Sequence, residues 1–169
     1  MLKEHANFIS VERLNNLISA NLDNEINLKI ITLEKATISQ PATIFEFIST
    51  IKEDFPFFIC DSDNYFEFEP SNANEVSYVN LSEVNNVNVN NKSYVEVNRF
   101  SEVEKIVEKK VISDKFCCGG YGFQSSYDFI STFEKLDGKN NKDLYLSHVI
   151  QKQLLEGNIF HAKEANTYE

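Results

Sequence analysis

Residues 41–63 read PATIFEFISTIKEDFPFFICDSD and combine a helical pattern, a strand and two aspartates. Apolar residues in the first half recur at intervals of three and four, which predicts an amphipathic helix that starts near Pro41. The apolar face of this helix is expected to consist of Ile44, Phe47, Ile48 and Ile51. Residues 57–60 form a short apolar run and predict a buried strand. Asp61 and Asp63 follow that strand directly.

The residues before this stretch carry a second helix and strand pattern. Residues 7–22 have apolar positions at helical spacing, with Ser10 as a plausible N-cap, and residues 27–33 (NLKIITL) predict a buried strand. The order helix, strand, helix, strand favours parallel pairing through crossover helices. The fold class predicted is therefore α/β, with a mostly parallel Rossmann-like sheet and flanking helices.

The residues that follow residues 41–63 have a different pattern of apolar and polar positions. Residues 75–108 contain four short alternating segments separated by Asn-rich turns, which predict an inserted antiparallel hairpin region. Residues 115–123 (KFCCGGYGF) predict a further strand, and residues 125–136 and 143–157 predict two helices, the second ended by Gly157. Residues 158–169 predict a last strand. Neither repeats nor a linker interrupt the sequence, so residues 1–169 are interpreted as a single domain.

The amino-acid composition argues against two classes of binding partner. The 169 residues carry a net charge of −10 without a run of Lys or Arg, which argues against nucleic acid and against an anionic membrane surface. No apolar stretch approaches the length of a membrane span, so membrane insertion is not expected. The three cysteines are an odd number and two are adjacent, which favours buried thiols in a reducing cytoplasm. Cysteine and histidine spacing for zinc is absent from the sequence.

Asp61 and Asp63 are the first candidate site. Ligands of open parallel sheets bind beyond the carboxyl ends of the strands, and carboxylate oxygens suit Mg²⁺. A metal–nucleotide site is therefore one interpretation, and an Asx-turn after a strand is the other.

Two further stretches are candidates for ligand binding. Glu108 and Lys109 end one predicted strand, and Gly119 and Gly120 lie in the next, where glycine permits a close approach to the backbone. The alternative is a solvated charge run beside a bulge. Residues 37–43 (TISQPAT) precede a helix, whose N–H groups can bind an anion or a base edge, unless the stretch is a simple capped connection.

Taken in order, these stretches resemble the nucleoside-triphosphate transferase family that makes nucleotide-sugars, and more narrowly its members in capsule and surface-polysaccharide biosynthesis. The resemblance runs from about residue 28 to residue 169. It rests on SQPAT (39–43), CDSDNYF (60–66), VEKK (107–110), CGGYGF (118–123), YDFISTF (127–133) and DLYLSHVIQKQLLEGNIF (143–160).

The resemblance implies a reaction and a role for each matching residue. A sugar 1-phosphate would attack the α-phosphorus of a nucleoside triphosphate and release pyrophosphate. Asp63 would be the catalytic aspartate that holds Mg²⁺, with Asp61 as a second candidate ligand. The other implied contacts are Glu108 with the sugar, Lys109 with its phosphate, Gly119 and Gly120 with the sugar through the backbone, and Gln40, Ala42 and Thr43 with the nucleobase.

The sequence also departs from the family pattern. A glycine-rich triphosphate loop has no match before residue 28, and the chain stops at Tyr168-Glu169, where the family continues to a second metal-binding aspartate. We therefore expect a nucleotidyltransferase-like domain that is incomplete at both ends, with self-association or a missing N-terminal partner segment. Two alternatives stay open: a metal-dependent glycosyltransferase with an Asp-x-Asp site, and a non-catalytic relative that binds a nucleotide or a partner.

Overall fold

The computed structural model describes residues 10–20, 28–84 and 88–169. They group into two compact units, which divide between Thr37 and Ile38. In the first unit helix α1 (Val11–Ser19) begins where the sequence predicts, because the Ser10 hydroxyl accepts the backbone N–H of Arg13 at 3.1 Å. The prediction of a strand at residues 27–33 is wrong for residues 28–33, which contain only one isolated bridge position. Asn27 lies outside the described residues.

The second unit combines helices with a run of consecutive strands. Its elements are α2 (Gln40–Ile48), β1 (Phe57–Cys60), β2 (Glu75–Asn80), β3 (Ser93–Val97), β4 (Val103–Glu108), β5 (Lys115–Phe123), α3 (Ser126–Lys135), α4 (Leu146–Leu155) and β6 (His161–Glu164). One of the four alternating segments predicted within residues 75–108 is NVNVN (86–90), and its described residues 88–90 instead join a 3-10 turn at Val89–Asn91. None of the helices in the described ranges is long and apolar enough to cross a bilayer.

The six strands form one sheet, in which β1 pairs with β5 beside the order β4-β3-β5-β2-β6. Among the described strands only β2 and β6 run parallel, and every other pairing is antiparallel. The prediction of a mostly parallel sheet is therefore wrong, whereas the antiparallel β3–β4 hairpin is confirmed. Alternation of helices and strands indicates element type but not pairing, and β1 pairs with a strand that comes far later in the chain.

Strand β5 is the centre of the sheet and creates a junction along one edge. β2 pairs with one edge of β5, whereas β1 and β3 share the other. Cys60 at the end of β1 lies opposite Gly120, and Tyr94 near the start of β3 lies opposite Phe116. The two strands therefore meet end to end, which brings the residues after β1 close to those at the start of β3.

The buried face of α2 matches the predicted one only in part, at Ile48 and the half-buried Ile44. The helix buries Pro41, Ala42, Phe45 and Ile48, and the ring of Phe45 stacks on Phe133 with centroids 4.6 Å apart. Phe47 is 38% exposed, and Ile51 lies beyond the last helical residue. Ile48 was predicted correctly, and positions 41 and 45 were missed because they satisfy the helical period as well as positions 44 and 47 do.

A buried carboxylate joins the two parallel strands. Glu75 on β2 is 1% exposed and accepts hydrogen bonds from the Ser71 backbone N–H at 2.6 Å and the Ser71 hydroxyl at 2.7 Å. Lys163 on β6 completes the cluster with an ion pair of 2.6 Å. The pair therefore ties the loop before β2 to the β2–β6 pairing.

Lys163→Met is expected to lower the free energy of unfolding by about 2 kcal/mol, because it leaves Glu75 buried without its cation. The loss is smaller than for a fully buried pair, since the Lys163 side chain is 40% exposed and solvent screens its charge. Urea unfolding measures the change. Lys105→Met, on the exposed face of β4, is the matched control, and an equal loss in both variants would contradict the prediction.

Candidate functional site

A cavity of about 370 Å³ opens at the junction between β1 and β3. Residues from six parts of the fold reach it, although they are far apart in the sequence. The lining consists of Gln40 at the start of α2, Asp61, Asp63 and Asn64 after β1, Asn91, Lys92 and Ser93 around the start of β3, Glu108 and Lys109 at the end of β4, Cys117 and Tyr121 on β5, and Tyr145, Leu146 and Ser147 at the start of α4.

Asp61 is held at the centre of this junction. Its backbone N–H donates to the Gly119 carbonyl at 2.9 Å, which extends the β1–β5 pairing by one residue, and Gln40 Nε2 donates to its Oδ1. Burial raises the pKa of the Asp61 carboxyl, and the negative charges of Asp63 and Glu108 raise it further, against the lowering effect of the Gln40 hydrogen bond. Asp61 is thus a half-buried carboxylate in an acidic setting, which a cation would stabilise.

Asp63 lies at the solvent-exposed rim of the cavity. Its Oδ1 accepts a hydrogen bond of 3.0 Å from Asn64 Nδ2. Asn64 Oδ1 in turn accepts from Lys92 Nζ at 3.1 Å and from the Tyr168 hydroxyl at 2.9 Å. The loop after β1 is therefore connected to the start of β3 and to the C-terminal segment, a link that the sequence patterns did not predict.

Glu108 is oriented by two buried serines. Ser93 Oγ and Ser147 Oγ donate to the same oxygen, Oε2, at 2.5 and 2.6 Å. Both serines are buried, and Glu108 is half-buried in the cavity wall. None of these bonds involves Oε1, so the carboxylate keeps acceptor capacity toward the cavity.

Lys109 lies beside Glu108 in an unusual backbone conformation. Its φ is +54°, in the left-handed region that residues other than glycine rarely adopt. Its Nζ donates to the Tyr145 hydroxyl at 2.5 Å and lies 4.1 Å from the centroid of the same ring. The hydrogen bond with Tyr145 raises the pKa of Lys109, so the side chain is a cation at neutral pH.

The remaining predicted site residues, Gly119, Gly120, Ala42 and Thr43, are not among the residues that line the cavity. Gly119 has φ +107°, and a Cβ added there would lie 2.9 Å from Asp61 Cβ. A Cβ at Gly120 would lie 2.5 Å from Ser77 Oγ. Ala42 is buried in α2, and the Thr43 backbone N–H donates to the Ser39 carbonyl at 3.1 Å. Their predicted contacts with sugar and nucleobase stay predictions.

The metal ligands predicted from the sequence are oxygen donors on one side of the cavity. Within the described residues, no group of three or more His, Cys, Asp or Glu side chains is arranged to hold a metal ion. Mg²⁺ usually takes only one or two protein carboxylates and completes its shell with water and substrate phosphates. Asp61 and Asp63 fit that requirement by type and number, and their role as magnesium ligands stays a prediction.

Ser147→Ala is expected to lower the free energy of unfolding by about 2 kcal/mol, because it removes a buried hydrogen bond to the charged Glu108. Urea denaturation measures the effect. Ser131→Ala, on the exposed face of α3, should change stability by less than about 0.5 kcal/mol. Equal stability of the two variants would show that the Ser147 hydroxyl does not hold Glu108.

Comparisons with known proteins agree with this arrangement at the level of the fold. No protein-family model and no curated protein matches the sequence. Solved structures do match: a nucleoside-diphosphate-sugar pyrophosphorylase from Vibrio cholerae RC9 has a TM-score of 0.70 at 15% identity, over 92% of this chain and 69% of that one. The inositol-1-phosphate CTP transferase from T. maritima has a TM-score of 0.65 at 17% identity, over 92% and 63% of the two chains.

A third solved structure is assigned as a glucose-1-phosphate thymidylyltransferase from Bacillus anthracis, in complex with a sucrose. It has a TM-score of 0.67 at 13% identity and covers 91% of this chain and 63% of that one. The chain thus has a sugar-nucleotidyltransferase-like fold and spans 63% to 69% of the length of these three structures.

Proposed function

We propose that the chain is a nucleotidyltransferase of nucleotide-sugar synthesis. It would convert a nucleoside triphosphate and a sugar 1-phosphate into a nucleoside-diphosphate sugar and pyrophosphate, in the cytoplasmic stage of capsule or surface-polysaccharide synthesis. One observation supports this above the others: the fold brings Asp61 and Asp63 into the same cavity as Glu108 and Lys109. These are the two pairs that would hold the nucleotide side and the sugar-phosphate side.

The roles proposed for Glu108 and Lys109 follow from their hydrogen bonds and charge. Glu108 has one oxygen fixed by two serine hydroxyls, so its other oxygen can accept bonds from the sugar hydroxyls. Lys109 carries a positive charge at the rim and can bind the attacking phosphate. Transfer of a nucleotidyl group depends on alignment and charge stabilisation more than on a covalent nucleophile, and these residues supply both.

Mg²⁺ is proposed as the metal of this site, and Asp61 as its first ligand. Asp61 is half-buried and fixed by Gln40 and by the backbone of Gly119, whereas Asp63 is exposed and, among the described residues, is bound by a hydrogen bond from its neighbour Asn64. This order reverses the one expected from the sequence. When bound, the metal would offset negative charge on the triphosphate.

The test is pyrophosphate release from a panel of nucleoside triphosphates and sugar 1-phosphates, with and without Mg²⁺. The matched variant is Glu108→Gln, which keeps the size of the side chain but removes its charge. Turnover that requires Mg²⁺ and falls in Glu108→Gln would support the proposal.

Two outcomes would contradict it. Without turnover, calorimetric titration with the same nucleotides and Mg²⁺ would show whether the cavity binds them, and no binding would exclude the proposed function. Hydrolysis of nucleotide-sugars that requires Mn²⁺, without pyrophosphate release, would instead favour a glycosyltransferase.

A further inference from the structure

We propose that Lys92 binds a phosphate group of the ligand on the aspartate side of the cavity. This inference rests on the proposed function and adds a second cationic contact, which none of the sequence motifs contains. The ligand would then meet positive charge on two sides, at Lys92 beside the loop after β1 and at Lys109 beside α4.

The first argument is the set of neutral partners around the Lys92 ammonium. Lys92 is half-buried, and its Nζ donates to the Tyr168 hydroxyl at 2.6 Å and to Asn64 Oδ1 at 3.1 Å. It also lies 5.2 Å from the ring centroid of Tyr168 and 5.9 Å from that of Phe116. These contacts use two of its three donors and hold the charge in place without neutralising it.

The second argument is that Lys92 forms no ion pair in the described part of the chain. There the ion pairs involve Lys115, Lys135, Lys152 and Lys163, and none involves Lys92. A charge removed from water is costly unless an opposite charge accompanies it. Since Lys92 lines the cavity, an anionic ligand there can supply that charge.

The third argument is the position of Lys92 in the hairpin. Ser93 lies opposite Glu108, and the Lys109 backbone N–H donates to the Lys92 carbonyl at 3.0 Å, so the two lysines are cross-strand neighbours. Like charges at such positions destabilise a strand pair. Each side chain is instead turned to its own tyrosine, Tyr168 for Lys92 and Tyr145 for Lys109. Both cations line the cavity, where a bound anion would relieve their repulsion.

The groups around the Lys92 ammonium favour a phosphate over other acidic groups as its ligand. The Lys92 ammonium is connected through Asn64 to Asp63 and acts electrostatically on Asp61. A phosphate that binds there could accept a hydrogen bond from the Lys92 ammonium through one oxygen and bind, through another, a Mg²⁺ ion held by the two carboxylates. The phosphate could belong to the nucleotide or to the sugar 1-phosphate, and separate titrations distinguish these sources.

The test titrates the chain by calorimetry with pyrophosphate in Mg²⁺ and, separately, with glucose 1-phosphate. The variants are Lys92→Met, Lys92→Arg and the control Lys105→Met, which removes the same charge from the exposed face of β4. Lys92→Met should weaken at least one ligand by about tenfold or more, because it removes a charge-assisted hydrogen bond. Lys92→Arg should stay within about threefold of the unsubstituted chain, and Lys105→Met within about twofold, as long-range charge effects are screened.

The pattern of loss identifies the source of the phosphate. A loss for pyrophosphate alone points to the nucleotide, a loss for glucose 1-phosphate alone points to the sugar phosphate, and either supports the inference. Equal affinities of Lys92→Met and Lys105→Met for both ligands would overturn it, while leaving the proposed function intact. If the unsubstituted chain binds neither ligand, the inference fails, and the titrations with nucleoside triphosphates described above decide the proposed function separately.

A second measurement uses the unsubstituted chain, so it tests whether Lys92 binds a phosphate even if Lys92→Met does not fold. Acetylation of individual lysines is followed by mass spectrometry, with pyrophosphate and Mg²⁺ or with glucose 1-phosphate added. The inference predicts that one of these ligands slows acetylation of Lys92 at least about threefold more than that of Lys105, because a bound phosphate masks the ammonium. Equal protection of the two lysines would overturn it.

Discussion

Asp61→Asn is expected to lower Mg²⁺-dependent nucleotidyl transfer by about 100-fold or more, because it removes the best-fixed carboxylate of the proposed metal site. The substitution keeps the shape of the side chain and an oxygen that can accept the hydrogen bond from Gln40. The backbone bond from residue 61 to the Gly119 carbonyl is also kept. The loss should therefore appear in activity rather than in stability, and steady-state kinetics over a range of Mg²⁺ concentrations measures it.

Asp63→Asn is the matched comparison, since it makes the same chemical change two residues away. Asp63 is exposed and bound to Asn64, so its loss should cost less than the loss of Asp61. We expect a decrease of about tenfold, as is typical for a supporting residue of a metal site. A larger loss in Asp63→Asn than in Asp61→Asn would restore the order that the sequence resemblance implies, with Asp63 as the first ligand.

The sequence predicted the elements better than their pairing. The helix before β1, the strand Phe57–Cys60, the β3–β4 hairpin and the glycine-containing strand β5 are all present. The direction of pairing was wrong, because an alternating or apolar run records which faces of a strand are buried and not which strand lies beside it. The sharing of one edge of β5 by β1 and β3 therefore could not be read from either strand.

The same limit explains which site residues were missed. Asp61, Asp63, Glu108 and Lys109 stand out as charged residues at strand ends, and the structure places all four at one cavity. Ser93 and Lys92 lie outside the quoted motifs, and Ser147 lies within residues 143–160 but was given no role, since the contacts of all three depend on how distant elements meet. The position of Lys92 could have been predicted if the strand register had been known, because pairing of Ser93 with Glu108 places Lys92 next to Lys109. That register was not specified by the alternating pattern alone.

Gly119→Ala is expected to disrupt both the fold and the site, because two constraints meet at this residue. Its φ of +107° is strained for any side chain, and the new Cβ would lie 2.9 Å from Asp61 Cβ and 3.0 Å from Asp61 Oδ2. Strain of this kind costs about 1–3 kcal/mol. Asp61 must also move away, which shifts the proposed metal ligand from its contact with Gln40. Urea unfolding and Mg²⁺-dependent nucleotide binding measure the two effects separately.

Gly157→Ala separates backbone strain from crowding. Gly157 also has a positive φ, +93°, but a Cβ there meets no atom within 4 Å. It follows α4 at the end opposite Ser147, away from the cavity lining. We expect Gly157→Ala to lose about 1 kcal/mol of stability and to bind nucleotide normally. Gly119→Ala should lose more stability and weaken nucleotide binding by about tenfold or more, since a displaced ligand no longer meets the metal at the required distance. Loss of stability without loss of binding in Gly119→Ala would mean that the glycine serves the strand alone and that Asp61 does not depend on it.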